Sequence, residues 1–280
     1  MENRPNHPLH KFTVAVIGGG FTGTTLAAQL VRHTDASYSL IVIERTGLPG
    51  RGVAYGTECN SHLLNVPAKD MSAFPEDREH FLRWAKSNYD SETEPCSFLP
   101  RKVYGRYLGS LLSEAALADE KQRLQWRKDE ARALSPRGDG QIEIQLRSGT
   151  RVFADKVVLA LGNFPSSDPL LPWRNPANRP HDLPDPDFGD PYFPDPYFPD
   201  PWSDTIFEAV EHLDQILLLG SGLTGVDVAV ELRRRGFRGT IHFLSRTRAV
   251  ASFPQNPHSL ASVLERAVLQ KHSRAVAFGA

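Results

Sequence analysis

The chain has 280 residues, 40% hydrophobic and 23% charged, with 32 basic against 33 acidic side chains and a net charge of −1. That is enough for one large or two smaller cored domains, and the balanced charge gives no global basic field to draw nucleic acid. Cys59 and Cys96 have no metal-ligand or CxxC spacing, residues 1–11 lack a signal-peptide core, and no apolar run reaches the ~18 residues of a membrane span. The expectation is therefore a cytoplasmic protein with no membrane or nucleic-acid partner, no metal and no disulfide scaffold.

Residues 12–17 (FTVAVI) form a short apolar run ending in three glycines. Residues 22–32 place Leu26, Leu30 and alanines at helical spacing, and 38–43 (YSLIVI) read as a second buried strand. Strand, glycine turn, helix, strand is a βαβ unit with a parallel sheet and, by default, a right-handed crossover. Residues 47–74 are rich in Gly, Pro and Asn, which predicts a long irregular loop across the first turn. Pro75, followed by two acidic residues, marks a helix start. Pro100 opens another helix, with Val103, Tyr107, Leu108, Leu111 and Leu112 on its apolar face.

Strands are predicted over 124–134, 141–146 and 151–161, the last two joined at Ser148-Gly149 as a hairpin. Residues 166–202 are dense in Pro and Asp and repeat DPYFP from Asp190 and Asp195 before DPW at Asp200. Such proline density excludes helix and central strand and predicts a semi-rigid connection. A second βαβ unit follows, with a strand at 215–219, a helix at 224–235 and a strand at 240–244. Residues 259–276 read as an amphipathic helix. The fold class is thus α/β with two Rossmann-like units. The expected domains are 1–165, a linker 166–203 and 204–280.

The chemistry lies in the two glycine turns. Gly18-Gly19-Gly20-Phe21-Thr22-Gly23 fits G-x-G-x-x-G after a strand and at the start of a helix. The first glycine permits the turn, the second lets backbone approach a pyrophosphate, and the third allows close helix–strand packing. The helix N-terminus then presents N–H groups and a positive dipole to the phosphates. Glu44 ends the next strand 21 residues after Gly23, near the ~20 expected of a carboxylate that accepts from a ribose hydroxyl. Arg45 follows it.

Gly220-Ser221-Gly222-Leu223-Thr224-Gly225 repeats the pattern, and the same offset of 21 residues from Gly225 falls on Arg246, preceded by Ser245. A guanidinium and a hydroxyl suit a 2′-phosphate that a carboxylate would repel. The first unit is therefore expected to take FAD and the second NADPH, with the flavin accepting hydride. The run 157–163 (VVLALGN) ends at Gly162, where the chain can return beside FAD.

With those residues in place, the sequence resembles the two-dinucleotide FAD/NAD(P)-binding flavoproteins. More closely, it resembles the bacterial family that includes FAD-dependent urate hydroxylase and aspartate N-oxygenating monooxygenases. The resemblance is carried by 14–30 (VAVIGGGFTGTTLAAQL), 50–57 (GRGVAYGT), 62–84 (HLLNVPAKDMSAFPEDREHFLRW), 103–108 (VYGRYL), 157–163, 200–202 (DPW) and 217–232 (LLLGSGLTGVDVAVEL). It implies FAD on Gly18, Gly20, Gly23 and Glu44, and a loop bearing Gly52, Tyr55, Asn65 and Met71 near the flavin or its phosphates. It also implies a backbone contact to adenine around Ala131, and NADPH on Gly220, Gly222, Gly225 and Arg246.

In such enzymes reduced flavin meets O₂ and a small heteroatom-bearing substrate is oxygenated without a protein nucleophile. No Ser/His/Asp or Cys/His arrangement is recognisable here, and loop hydrogen bonding is the reading for His62, His80 and Asp70. Relatives of this type continue well beyond the second glycine motif, whereas the resemblance is lost from Arg248 onward. The resemblance therefore implies an incomplete second dinucleotide-binding unit: a C-terminally truncated or frame-shifted product, or one whose missing segment lies on another chain. Three readings stay open: a monooxygenase, a remnant that binds FAD without turnover, and an NADPH-dependent reductase or oxidase that oxygenates nothing.

Overall fold

The computed structural model describes residues 12–33, 38–163, 198, 200–201, 205–210 and 212–245. Arg246, most of the proline-rich stretch and the predicted 259–276 helix lie outside the described residues. The chain divides into two compact units, 1–164 and 165–280.

In the first unit, β1 (Thr13–Ile17), helix α1 (Phe21–His33) and β2 (Ser39–Glu44) form the expected βαβ unit. β1 pairs in parallel with β2, in register from Thr13↔Ser39 to Ile17↔Ile43. Val16, Leu40 and Val42 are fully buried, as the apolar runs require, and α1 contributes Ala27, Ala28 and Val31 to the same core. The helix α4 (Arg101–Ala118) covers this side of the sheet with the face read from sequence, and Tyr104 and Ala115 join it.

Three sequence readings are corrected. The predicted strand 124–134 is two strands, β3 (Leu124–Lys128) and β4 (Ala131–Pro136). β3 extends the parallel sheet beside β2, while β4 belongs to an antiparallel sheet. The break falls at Asp129, whose Oδ1 accepts from the Glu130 and Ser148 amides. Likewise, 151–161 divides into β6 (Arg151–Ala154) and β7 (Lys156–Leu159). At that corner Asp155 binds Thr13 twice: its amide donates to the Thr13 carbonyl at 2.8 Å, and its carboxylate accepts from the Thr13 amide at 2.7 Å. The resulting sheets are β3-β2-β1-β7, parallel, and β4-β5-β6, antiparallel, with β5 spanning Ile142–Leu146. β5 and β6 form the hairpin predicted at Ser148-Gly149.

The third correction concerns 47–80. The loop holds a one-turn helix, α2 (Gly52–Tyr55), and a 3-10 turn at Ala68–Asp70. The helix signalled by Pro75 starts only at His80 (α3, His80–Asn88). Ser72 holds 74–77 as a turn, its hydroxyl lying 3.2 Å from the Phe74 carbonyl and 2.6 Å from the Asp77 carbonyl.

The second unit contains a short helix, α5 (Thr205–Ala209), then β8 (Gln215–Leu219), α6 (Leu223–Arg234) and β9 (Thr240–Leu244). β8 and β9 are parallel, in register from Gln215↔Thr240. Val228, Ala229, Leu232 and Ile241 form the core with Ile206, Val210 and Phe237. Leu217, Leu219 and Leu244 stand about half exposed. No helix among the described residues is long and apolar enough to cross a membrane.

Candidate dinucleotide-binding sites

In the first unit, Gly18 turns the chain with φ +101°, a left-handed value that costs glycine little. Its amide donates to the Ile43 carbonyl at 2.9 Å, tying the turn to the end of β2. A Cβ on Gly23 would overlap the Gly18 carbonyl oxygen, so the third glycine sets how closely α1 approaches the strand. At Gly20 a Cβ would meet only the Gly52 α-carbon, at 3.6 Å. The second glycine thus lies backbone to backbone beside Gly52, with no side chain packed on it.

Sequence reasoning missed Thr24, which fastens the two loops that meet here. Its buried hydroxyl donates to the Gly19 carbonyl at 2.8 Å and accepts from the Gly50 amide at 2.9 Å. The Gly50 amide also reaches the Gly19 carbonyl at 2.8 Å. Only a threonine directly after the third glycine hinted at this, because the partner loop is 26 residues away.

Glu44 reaches back to the turn. Its Oε2 accepts from the Gly19 amide at 2.7 Å, and its Oε1 accepts from the Thr46 amide at 2.9 Å and hydroxyl at 2.8 Å. The carboxylate is therefore held half-buried beside the glycine turn, while Arg45 is exposed. No acidic side chain occupies the first turn of α1, which leaves its positive end to an anion.

Phe21 stacks on Tyr104 at 6.3 Å, and Tyr55 packs edge-on to Tyr104 at 4.8 Å, so the loop residue Tyr55 does come to the start of α1. Thr22 lies exposed on the same turn. Burial pushes the hydroxyls of Tyr55, Tyr104 and Tyr107 above the ordinary phenol value, so all three remain protonated. Met71 packs against the core of the parallel sheet, whereas Asn65 is exposed on the loop. Ala131 opens β4 two residues past Asp129, whose amide donates to the Glu44 carbonyl at 3.2 Å. Gly162 adopts φ +68° just after Ala160, whose carbonyl bars a Cβ on Gly18.

His62 makes the loop hydrogen bond expected of it, whereas His80 opens α3 and bonds to α4 instead. His62 Nδ1 lies 2.7 Å from the Thr57 hydroxyl, and His80 Nδ1 lies 2.9 Å from the Tyr107 hydroxyl. Burial, ahead of the surrounding charges, holds His80 below the usual imidazole value, so it is neutral at pH 7. Asp70 is exposed at the end of the 3-10 turn.

The second unit repeats the turn. Gly220 has φ +106° and its amide donates to the Leu244 carbonyl at 2.8 Å, the counterpart of Gly18 and Ile43. A Cβ on Gly225 would stand 2.6 Å from the Gly220 carbonyl oxygen. Added at Gly220 or Gly222, it would meet nothing within 4 Å. Leu223 and Thr224 begin α6, which has no side-chain cap and no acidic residue in its first turn. In the second turn Gly220 and Gly222 are thus open on the side a diphosphate would approach, whereas in the first Gly19 is packed by the Trp126 and Glu44 side chains and Gly20 lies against the Gly52 backbone. Ser245 is exposed just past β9.

This arrangement is a Rossmann-like α/β fold, similar to those of solved monooxygenases. The closed crystal structure of cyclohexanone monooxygenase matches 91% of this chain and 43% of its own at 17% identity, with a TM-score of 0.51. S-allyl-L-cysteine S-oxygenase from Allium sativum matches 89% of this chain and 54% of its own at 14% identity and 0.52. Cyclohexanone monooxygenase from Rhodococcus sp. Phi1, bound to NADP⁺, matches 85% and 39% at 17% identity and 0.50. The chain thus spans about half the length of these proteins or less. No curated protein sequence matches it. Residues 15–164 match the FAD-NAD(P)-binding family, and the chain belongs to that family.

Proposed function

We propose that the chain holds FAD at the first glycine turn and NADPH at the second, as an oxidoreductase of monooxygenase type acting on a small heteroatom-bearing substrate. The observation that carries this reading is the matched geometry of the two turns. Each begins with a left-handed glycine tied to the end of the neighbouring strand, and each has no side chain packed on its second glycine and no acidic residue in the first turn of the helix that follows.

The start of α1 at Gly20, beside Gly52, would present backbone to the FAD pyrophosphate, and Glu44 would accept from the ribose diol. Gly220 and Gly222 would do the same for NADPH, with the side chains of Ser245 and Arg246 taking the 2′-phosphate. Tyr55, Phe21 and Tyr104 would wall the first site near its mouth and exclude water there. Bound FAD supplies hydride acceptance and reaction with O₂.

The purified chain should be yellow and should oxidise NADPH faster than NADH. Product carrying oxygen from O₂ would support oxygenation, whereas NADPH oxidation without such product would favour a reductase or oxidase. A yellow protein that leaves NADPH untouched would reduce the assignment to flavin binding. Equal use of NADH would remove the role given to Arg246.

A further inference from the structure

The clamp on the first nucleotide has a backing that the glycine motif does not contain. β3 lies beside β2 with Trp126 in register with Val42 and Lys128 with Glu44, so all four side chains belong to one face of the sheet. On that face the indole reaches the glycine turn. A Cβ on Gly19 would overlap the Trp126 Cη2 and stand 2.9 and 3.1 Å from the Glu44 Cβ and Cγ. Gly19 is therefore a slot between the ring and the carboxylate side chain, and its amide is the one that Glu44 Oε2 binds at 2.7 Å. The Nε1 of Trp126 is sealed from solvent and has no hydrogen-bond partner among the described residues. Buried donors are almost always paired, so the ring is held here by its shape rather than by its polar atom.

We infer that Trp126 is a positioning residue for nucleotide recognition: its ring braces Gly19 and the Glu44 side chain so that the carboxylate meets the ribose diol. This role rests on the nucleotide reading above. A ring at this place removes alternative rotamers of Glu44 before the ligand arrives, and preorganisation of that kind strengthens binding without any direct contact.

ADP and 2′,3′-dideoxy-ADP are the probes, because they share the diphosphate and base and differ only in the hydroxyls that Glu44 would bind. Calorimetric titration of the full chain should show Trp126→Leu losing ADP affinity by about tenfold, the scale of one hydrogen bond to a charged group, with dideoxy-ADP unchanged. Trp126→Phe, which keeps a ring and deletes the unpaired donor, should restore ADP binding and leave thermal stability equal or higher. Adding Glu44→Gln to Trp126→Leu should cost little more than either change alone.

Should the leucine variant fail to fold, 5-fluorotryptophan can be placed in the wild-type chain, with Trp126→Phe identifying the resonance. That resonance should shift with ADP and stay with dideoxy-ADP. Equal losses for both nucleotides, or a resonance that ignores the diol, would overturn the positioning role. A wild type that binds ADP with Trp126→Leu unaffected would remove this role alone, whereas a wild type that binds neither ADP nor FAD would remove the nucleotide reading with it.

Discussion

Gly23 stands against the carbonyl of Gly18, so close that a Cβ on Gly23 would overlap the oxygen and lie 3.0 Å from the carbon. Two effects oppose each other at this position. Alanine in a helix is favoured over glycine by about 1 kcal/mol, while forcing a methyl into filled space costs about 1–3 kcal/mol and occasionally more. The obstructing atoms are backbone, which cannot rotate away, so the clash should win. Gly23→Ala is expected to lower stability by about 2 kcal/mol or more in a denaturant titration. At Gly225 the corresponding oxygen is 2.6 Å away, and Gly225→Ala should be the milder of the two changes.

Gly222 gives the opposite expectation. Its backbone is extended, with φ −74° and ψ −177°, and an added Cβ would meet nothing. Alanine should therefore fold normally, within about 0.5 kcal/mol of the parent. The methyl would nevertheless project where a diphosphate must touch backbone. NADPH affinity should fall by about tenfold or more, equivalent to about 1.4 kcal/mol, while the melting curve stays in place. A fluorescence titration with NADPH beside a thermal melt separates the two effects.

These glycines also show what the sequence could and could not tell. Strand, turn and helix follow from local patterning, and the spacing from Gly23 to Glu44 located a carboxylate that does reach the turn. The 124–134 and 151–161 runs were each read as one strand because β-propensity does not say which sheet a residue joins. The division depends on Asp129 and Asp155 binding amides far along the chain. Thr24 and Trp126 escaped notice for a related reason. Each acts on a segment many residues away, and neither belongs to a motif of fixed spacing. Pro75 misled through a local rule, since Ser72 keeps the following residues in a turn.

In the turn between α4 and β3, Asp119 and Arg123 form a buried pair at 2.9 Å, with the Arg123 amide also donating to Asp119 at 2.6 Å and its guanidinium to the Val31 carbonyl at 2.7 Å. Removing one partner of such a pair strands the other charge, so Asp119→Ala should cost about 3–5 kcal/mol at neutral pH. Burial alone would raise the Asp119 carboxyl, but the hydrogen bonds and charge of Arg123 outweigh it and hold it below the usual range. A carboxyl lowered on folding stabilises the native state above its unfolded value, near pH 4, and that contribution is lost as pH falls through the lower folded value. The stability gap between wild type and Asp119→Ala, measured by urea titration, should therefore narrow below about pH 4. A gap that does not change with pH would mean that the pair does not titrate on unfolding.

Thr24 offers the most direct test of whether the two loops act together. Valine has nearly the same shape but removes the hydroxyl that donates to the Gly19 carbonyl and accepts from the Gly50 amide. The Gly50 amide keeps its bond to the Gly19 carbonyl, so only part of the link is lost. Stability should fall by about 1–2 kcal/mol, within the range for an interrupted buried hydrogen bond. The larger consequence should be for FAD. Gly20 and Gly52 face each other because Thr24 binds the segments that carry them, and a looser fit would weaken flavin binding beyond what the melt alone explains. Equilibrium dialysis of FAD against the wild type and Thr24→Val, at a temperature where both are fully folded, should show that excess. Equal FAD affinity in the two proteins would confine Thr24 to packing and leave the spacing of the loops to backbone hydrogen bonds.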